Sequence, residues 1–249
     1  MDINVLCENK PVRKFILRSA EEGRFSGTVN VYESVMPFIL RGNMSDKYIS
    51  EIFEHDTILV RNWDEIGWLN EKKYSGSIVA DAGLYSYNKE AVLALRDAGV
   101  EYDTVPYELN FHEIAERGCE NSEIVIYGRI PLMITAQCLY RNTHGDRCEK
   151  RDEGHDMIMT DRMRTDFPVH CFCSYCTNVI YNSVPLSLHN EINDVIKLRP
   201  KSVRLYFTNE TPEEAAKITD YFSGLISGST ALKIPFEAFT KGHFRKGVE

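Results

Sequence analysis

Five cysteines fall within 39 residues, as Cys138-x9-Cys148-x22-Cys171-x-Cys173-x2-Cys176. Thiolates bind soft and borderline metals, so four of them converging suit a Zn²⁺ ion or an iron–sulfur cluster. A terminal C-x2-C pair with two distant cysteines serves either group. The spacing departs from the paired C-x2-C motifs of a zinc ribbon, which weighs toward a cluster. Buried apolar cysteines are the bland alternative, and they fit less well in a segment this polar. Cys7 stands alone, while Cys119 also falls in the middle of the chain. The total of seven cysteines is odd. The opening residues MDINVLCENKPVRKF hold no apolar core of signal-peptide type. A disulfide framework is therefore a poor reading, and a reducing, cytoplasmic setting is expected.

A second set of candidates sits at the ends of expected strands. Asp81 follows SIVA, Glu108 follows TVPY, and Arg129 follows VIYG. In a (β/α) barrel the C-terminal strand ends face the active site. Asp81, Glu108 and Arg129 are then expected in one mouth, with Arg129 able to hold a carboxylate or phosphate. A structural ion-pair network is the competing reading of the same residues.

Elements that would position these groups can be read from the hydrophobic pattern. Val-, Ile- and Tyr-rich runs at 28–34, 57–61, 77–82, 104–108, 123–128 and 202–208 are apolar on both faces, as in a covered parallel sheet. Helical patterns occupy 46–55, 63–72, 89–98, 111–117, 186–198 and 212–225. Asn88, Ser187 and Thr211 are expected N-caps, with Pro212 in the first turn. Strand starts about 20–30 residues apart are the period of repeated βα units. The expectation is an α/β chain, a TIM-like (β/α) barrel or partial barrel. Six strands are counted where a closed barrel of this type has eight. Residues 132–185 break the rhythm. They hold the cysteines, a charged stretch and an expected hairpin in MIMTDRMRTDFPV, and read as an insertion built around something other than a hydrophobic core. The whole of 1–249 is taken as one domain.

Composition excludes several classes. Hydrophobic residues make up 43% and charged residues 27%, which rules out disorder for the chain as a whole. A net charge of −8 speaks against a generally basic nucleic-acid coat and leaves room only for a local basic mouth, for example around Arg129, Arg141 and Arg147. No apolar run approaches the roughly 18–20 residues that span a bilayer. His112-Glu113 begins like a zincin helix, but Glu116 stands where the second His belongs. There is no G-x-S-x-G elbow, P-loop or G-x-G-x-x-G run.

Several runs together resemble peptidase family U32, the collagenase-like proteins. They are ILVRNWDEIGWL (58–69), IVADAGLYSYN (78–88), PYELNFHEI (106–114), EIVIYGRIPLMITAQC (123–138), DFPV (166–169), CTNVIYNSVPLSL (176–188), VRLYFTNE (203–210) and FTKGHFRKGVE (239–249). Glu123–Gly128 corresponds to the family signature. Tyr127 stands where the family has His, so the chain resembles a divergent branch. The resemblance implies a TIM-like barrel and a 4Fe–4S cluster held by Cys138, Cys148, Cys173 and Cys176, with Cys171 the alternate to Cys173; zinc is the alternative metal. It implies a redox or hydroxylation role on a small-molecule or RNA substrate, a peptidase acting on peptides being the alternative activity. A zinc-stabilised partner subunit without catalysis is the non-enzyme reading. Asp81, Glu108 and Arg129 would hold substrate, and His243, in the GHF run, would donate from behind the cluster. Full-length relatives begin with a glycine- and alanine-rich half not found here. The chain is therefore expected to start near mid-barrel and to need a second copy, a partner chain or a divergent closure.

Overall fold

The computed structural model describes residues 1–32, 36, 52–145, 154–173, 176–229 and 232–248. Seven parallel strands form its centre: β1 (Asp2–Cys7), β2 (Val29–Tyr32), β3 (Thr57–Val60), β4 (Ser77–Ala80), β5 (Tyr102–Thr104), β6 (Ser122–Gly128) and β12 (Ser202–Phe207). Their spatial order is β2-β1-β12-β6-β5-β4-β3. Helices α1 (Lys10–Glu21), α2 (Trp63–Glu71), α3 (Lys89–Asp97), α4 (Phe111–Arg117), α6 (Ile192–Leu198) and α7 (Pro212–Ile226) follow strands and surround them. The result is a nearly closed TIM-like barrel; among the described residues no ladder joins β2 to β3.

Five of the six expected strands are present, the sixth ends early because β5 is Tyr102–Thr104 and meets the expected 104–108 only at Thr104, and β1 adds a seventh. DINVLC carries two polar residues in six, which hid it from a search for apolar runs. It lies between β2 and β12, pairing Asp2 with Ser202 and Ile3 with Val29. The opening segment is thus an interior strand of the sheet, and α1 follows it.

Helix starts follow side-chain chemistry. Asn88 Oδ1 accepts from Ala91 N at 2.8 Å, and Asn62 Oδ1 from Glu65 N at 3.0 Å. Asn110 with Glu113, and Thr211 with Glu214, form reciprocal capping boxes at α4 and α7. The expected helix at 186–198 is shorter. Leu186–Ser187 is instead β11, antiparallel to β6, and Ser187 N donates to Thr240 O at 2.8 Å. Those tertiary partners take the backbone groups a helix would use, so Ser187 does not cap. The expected helix at 46–55 lies mostly outside the described residues.

Ser187 Oγ meets His189 Nδ1 at 2.8 Å, and the imidazole packs among Tyr221, Phe236 and Phe239. Burial holds its pKa below the ordinary 6.5, Glu191 partly opposing. The unfolded chain therefore takes up this proton first. Stability from His189 is full above pH 6.5 and declines as pH falls through it. The urea midpoint should drop between pH 7 and pH 5, and drop less in His189→Phe.

The insertion is a four-stranded antiparallel sheet, in the order β7-β10-β9-β8. Its strands are β7 (Pro131–Thr135), β8 (His155–Thr160), β9 (Asp166–Phe172) and β10 (Thr177–Tyr181), with the short helix α5 (Leu139–Thr143) between β7 and β8. The expected hairpin is β8–β9. Contrary to expectation, the insertion has an apolar cluster of its own: Val169, Cys171 and Ile180, with Leu139, Met157 and Phe167 against them. Alternation along the strands gives the sheet two faces. Phe172, Val179 and Tyr181 join Leu6, Leu59, Val79 and Tyr206 from the barrel interior. The small sheet is therefore a lid on the barrel.

Candidate functional site

The lid face turned away from the barrel carries the cysteines. Cys138 precedes α5, Cys171 is the last residue but one of β9, and Cys173 and Cys176 lie between β9 and β10. All four line one cavity of about 470 Å³, together with Arg141 and Asn178. Cys171 is buried, Cys138 and Cys173 half-buried, and Cys176 exposed. Cys173 Sγ lies 3.5 Å from His155 Nδ1. Burial, then the neighbouring Cys173 and Cys138, push the Cys171 thiol up to about 12. Cys176 takes a left-handed backbone, φ 50°. Cys148 lies outside the described residues. Among the described residues, no three His, Cys, Asp or Glu side chains form a group that could hold a metal ion. The structure shows Cys138, Cys171, Cys173 and Cys176 lining one cavity, not converged on a single point. Cys119 is buried and donates to Leu198 O at 3.2 Å, a structural role.

The barrel interior is filled by a second set. Arg204 projects inward from the middle of β12 and is fully buried. Its Nε donates to Glu123 Oε1 at 2.8 Å, and its two terminal nitrogens reach Asp81 Oδ1 and Thr104 Oγ1, each at 2.7 Å. Arg61, leaving β3, reaches Glu8 at 2.9 Å and Asp81 at 3.3 Å. Tyr206 donates to Glu8 at 2.6 Å, and Tyr181 from the lid sits 3.2 Å from the Tyr206 hydroxyl. Burial pushes the Asp81 carboxyl up, but Arg204 and Arg61 outweigh it and hold the group below the usual carboxylate range. Asp81 is thus a paired anion at the mouth, and its other role is to accept from Ala82 N at 2.9 Å and start a short turn.

The other expected mouth residues point elsewhere. Tyr107, rather than Glu108, is the residue of this segment that feels the charges of Asp81, Arg204 and Arg61. Glu108 is bonded by Tyr87, and its Oε2 is buried without a partner. Arg129 shares its side of β6 with Tyr127, which packs on Phe207 and Phe222. It donates to Asn209 Oδ1 at 2.8 Å and Asn182 O at 3.0 Å, fastening the lid's last strand to the barrel. His243 Nδ1 lies 2.9 Å from Gly247 O and holds its own C-terminal turn. The structure therefore brings together four cysteines in one place and Asp81 with Arg61 and Arg204 in another. It does not gather Asp81, Glu108 and Arg129.

Sequence reasoning missed Glu8, Arg61, Arg204, Asp156 and His170. A single Arg in the apolar run SVRLYFT was the available signal, since a charge at an inward position of a buried strand needs partners.

No helix among the described residues is long and apolar enough to cross a membrane. A scan against protein-family models finds no match. No curated protein matches the chain. Among solved structures, the spore cortex-lytic enzyme SleL of Bacillus megaterium QM B1551 aligns over 91% of this chain and 73% of its own, at 10% identity and a TM-score of 0.31. At that TM-score the likeness carries no argument about fold or activity.

Proposed function

We propose that the chain is an iron–sulfur protein of the U32 type, whose lid holds a 4Fe–4S cluster and supports a redox or hydroxylation reaction on a small molecule or RNA. The observation that carries this reading is the shared lining of one cavity by Cys138, Cys171, Cys173 and Cys176. Cys138, Cys173 and Cys176 would be ligands, with Cys148 the fourth and Cys171 the reserve. A bound cluster supplies one-electron chemistry. The chain's own residues do the rest. Arg141 offers a cation beside the thiolates, and the lid's apolar face separates the cavity from the ion pairs below. Free thiols in this number suit a reducing compartment such as the cytoplasm. Zinc suits the same donors, and would make the lid a structural module.

Anaerobic purification followed by iron, zinc and acid-labile sulfide analysis decides the matter. About four irons and four sulfides per chain, with visible charge-transfer absorption, are expected. Zinc alone, or no metal, would overturn the cluster and leave a structural subunit or a peptidase.

A further inference from the structure

A cavity of about 450 Å³ lies on the helix side of β6, between the end of β12, the first turns of α7 and the chain at 235–238. We propose that it binds a small zwitterion of the amino-acid class, its carboxylate held by Arg129 and its ammonium by Glu214 and Glu237. This claim stands whether or not the lid holds a cluster.

Opposite charges line this one cavity without pairing. Arg129, Glu210, Glu214 and Glu237 all contribute to its wall, and among the described residues no salt bridge joins the arginine to any of the three carboxylates. The guanidinium is fixed in place. Its Nε donates to Asn209 Oδ1 at 2.8 Å, and its Nη1 donates to the carbonyls of Asn182, at 3.0 Å, and Ser183. These acceptors carry no net charge, and Nη2 has no acceptor among the described residues. A guanidinium oriented by neutral partners, with one nitrogen left to donate, suits a carboxylate.

The three acids differ in what they can still accept. Glu210 is buried and already served, Oε1 by Tyr127 Oη at 3.1 Å and Oε2 by Thr208 N at 2.8 Å. Glu214 uses Oε2 for the α7 cap, accepting from Thr211 N at 2.8 Å and Thr211 Oγ1 at 2.9 Å, which leaves Oε1. Glu237 is exposed, and neither of its oxygens has a partner among the described residues. A simple anion would meet these carboxylates, and a simple cation would meet Arg129. A ligand with both charges satisfies both ends at once. The wall also carries Val184, Ile218 and Phe236, an apolar surface for a short aliphatic side chain. Phe236 packs on Tyr127 with ring centroids 5.4 Å apart. The volume falls within the usual range for small-molecule sites.

The test is calorimetric titration of the full chain with L-leucine as probe. Saturable binding at millimolar concentration is expected. L-Leucinamide lacks the carboxylate and 4-methylpentanoate lacks the amine, and each should bind at least about tenfold more weakly. Glu214→Gln with Glu237→Gln removes both available carboxylates and keeps the cap, which a glutamine side chain also serves. That variant should bind L-leucine at least about tenfold more weakly, and 4-methylpentanoate no more weakly than the parent does. Ala238→Trp fills the cavity from an exposed position and should abolish binding while leaving far-UV circular dichroism unchanged. No saturable binding, an analogue that binds as tightly as L-leucine, or L-leucine binding kept by either folded variant would overturn the proposal.

Discussion

Arg204→Met should lower stability by about 3–5 kcal/mol, because it strands Glu123 as a buried, uncompensated carboxylate and leaves Asp81 with Arg61 alone. Both lose their nearest cation in the barrel interior, where Arg204 and Glu123 are fully buried. Urea denaturation followed by circular dichroism reads the loss directly. The double variant Arg204→Met with Glu123→Met should be more stable than the single one, since replacing both partners by apolar groups of similar volume is often close to neutral. Asp81 keeps Arg61 in both variants. A single variant that stays within about 0.5 kcal/mol of the parent, the range of an ordinary surface substitution, would show that this network does not hold the barrel interior together.

The second large effect separates Cys171 from Cys173. The two share one lid face, but Cys171 is packed with Val169 and Ile180, while Cys173 is half-buried at the cavity edge. After anaerobic reconstitution, Cys173→Ser and Cys176→Ser should each fall from about four irons per chain to below about one. Cys171→Ala should keep its iron and lose stability instead, by about 1 kcal/mol, as for a small cut in a buried cluster. Iron lost from Cys171→Ala and kept in Cys173→Ser would exchange the two roles.

Strands β3, β4 and β6 were legible because they are buried on both faces and read as nearly unbroken apolar runs. TILV, SIVA and EIVIYG need no partner information to be recognised. β1 was not legible, since Asn4 points into a polar barrel interior, where its amide donates to Glu123 at 3.1 Å. A polar interior inverts the pattern that sequence reading relies on. The same inversion hid Arg204. The 186–198 segment failed for another reason: its helical spacing is real, but β6 and Thr240 take the first residues, and only tertiary contacts record that. Of the cysteines, spacing pointed to a common neighbourhood, and Cys138, Cys171, Cys173 and Cys176 do line one cavity, while Cys148 lies outside the described residues. Arg129 was not legible, because a strand-end position does not say which side of the strand the residue takes. Asp156 and His170 were silent because their pairing runs across a hairpin, fourteen residues apart.

The place of β1 between β2 and β12 has a consequence for synthesis. Asp2–Cys7 leaves the ribosome well before one of its two neighbours, which begins at Ser202. At translation rates of about 5–20 residues per second, that edge stands open for roughly 10–40 s. During this interval β1 can pair only with β2, across α1. The lid sheet, by contrast, is built from consecutive strands and can close as soon as Tyr181 emerges. The nascent chain therefore forms its cover before the barrel beneath it is whole, and β12 has to enter between two strands already in place.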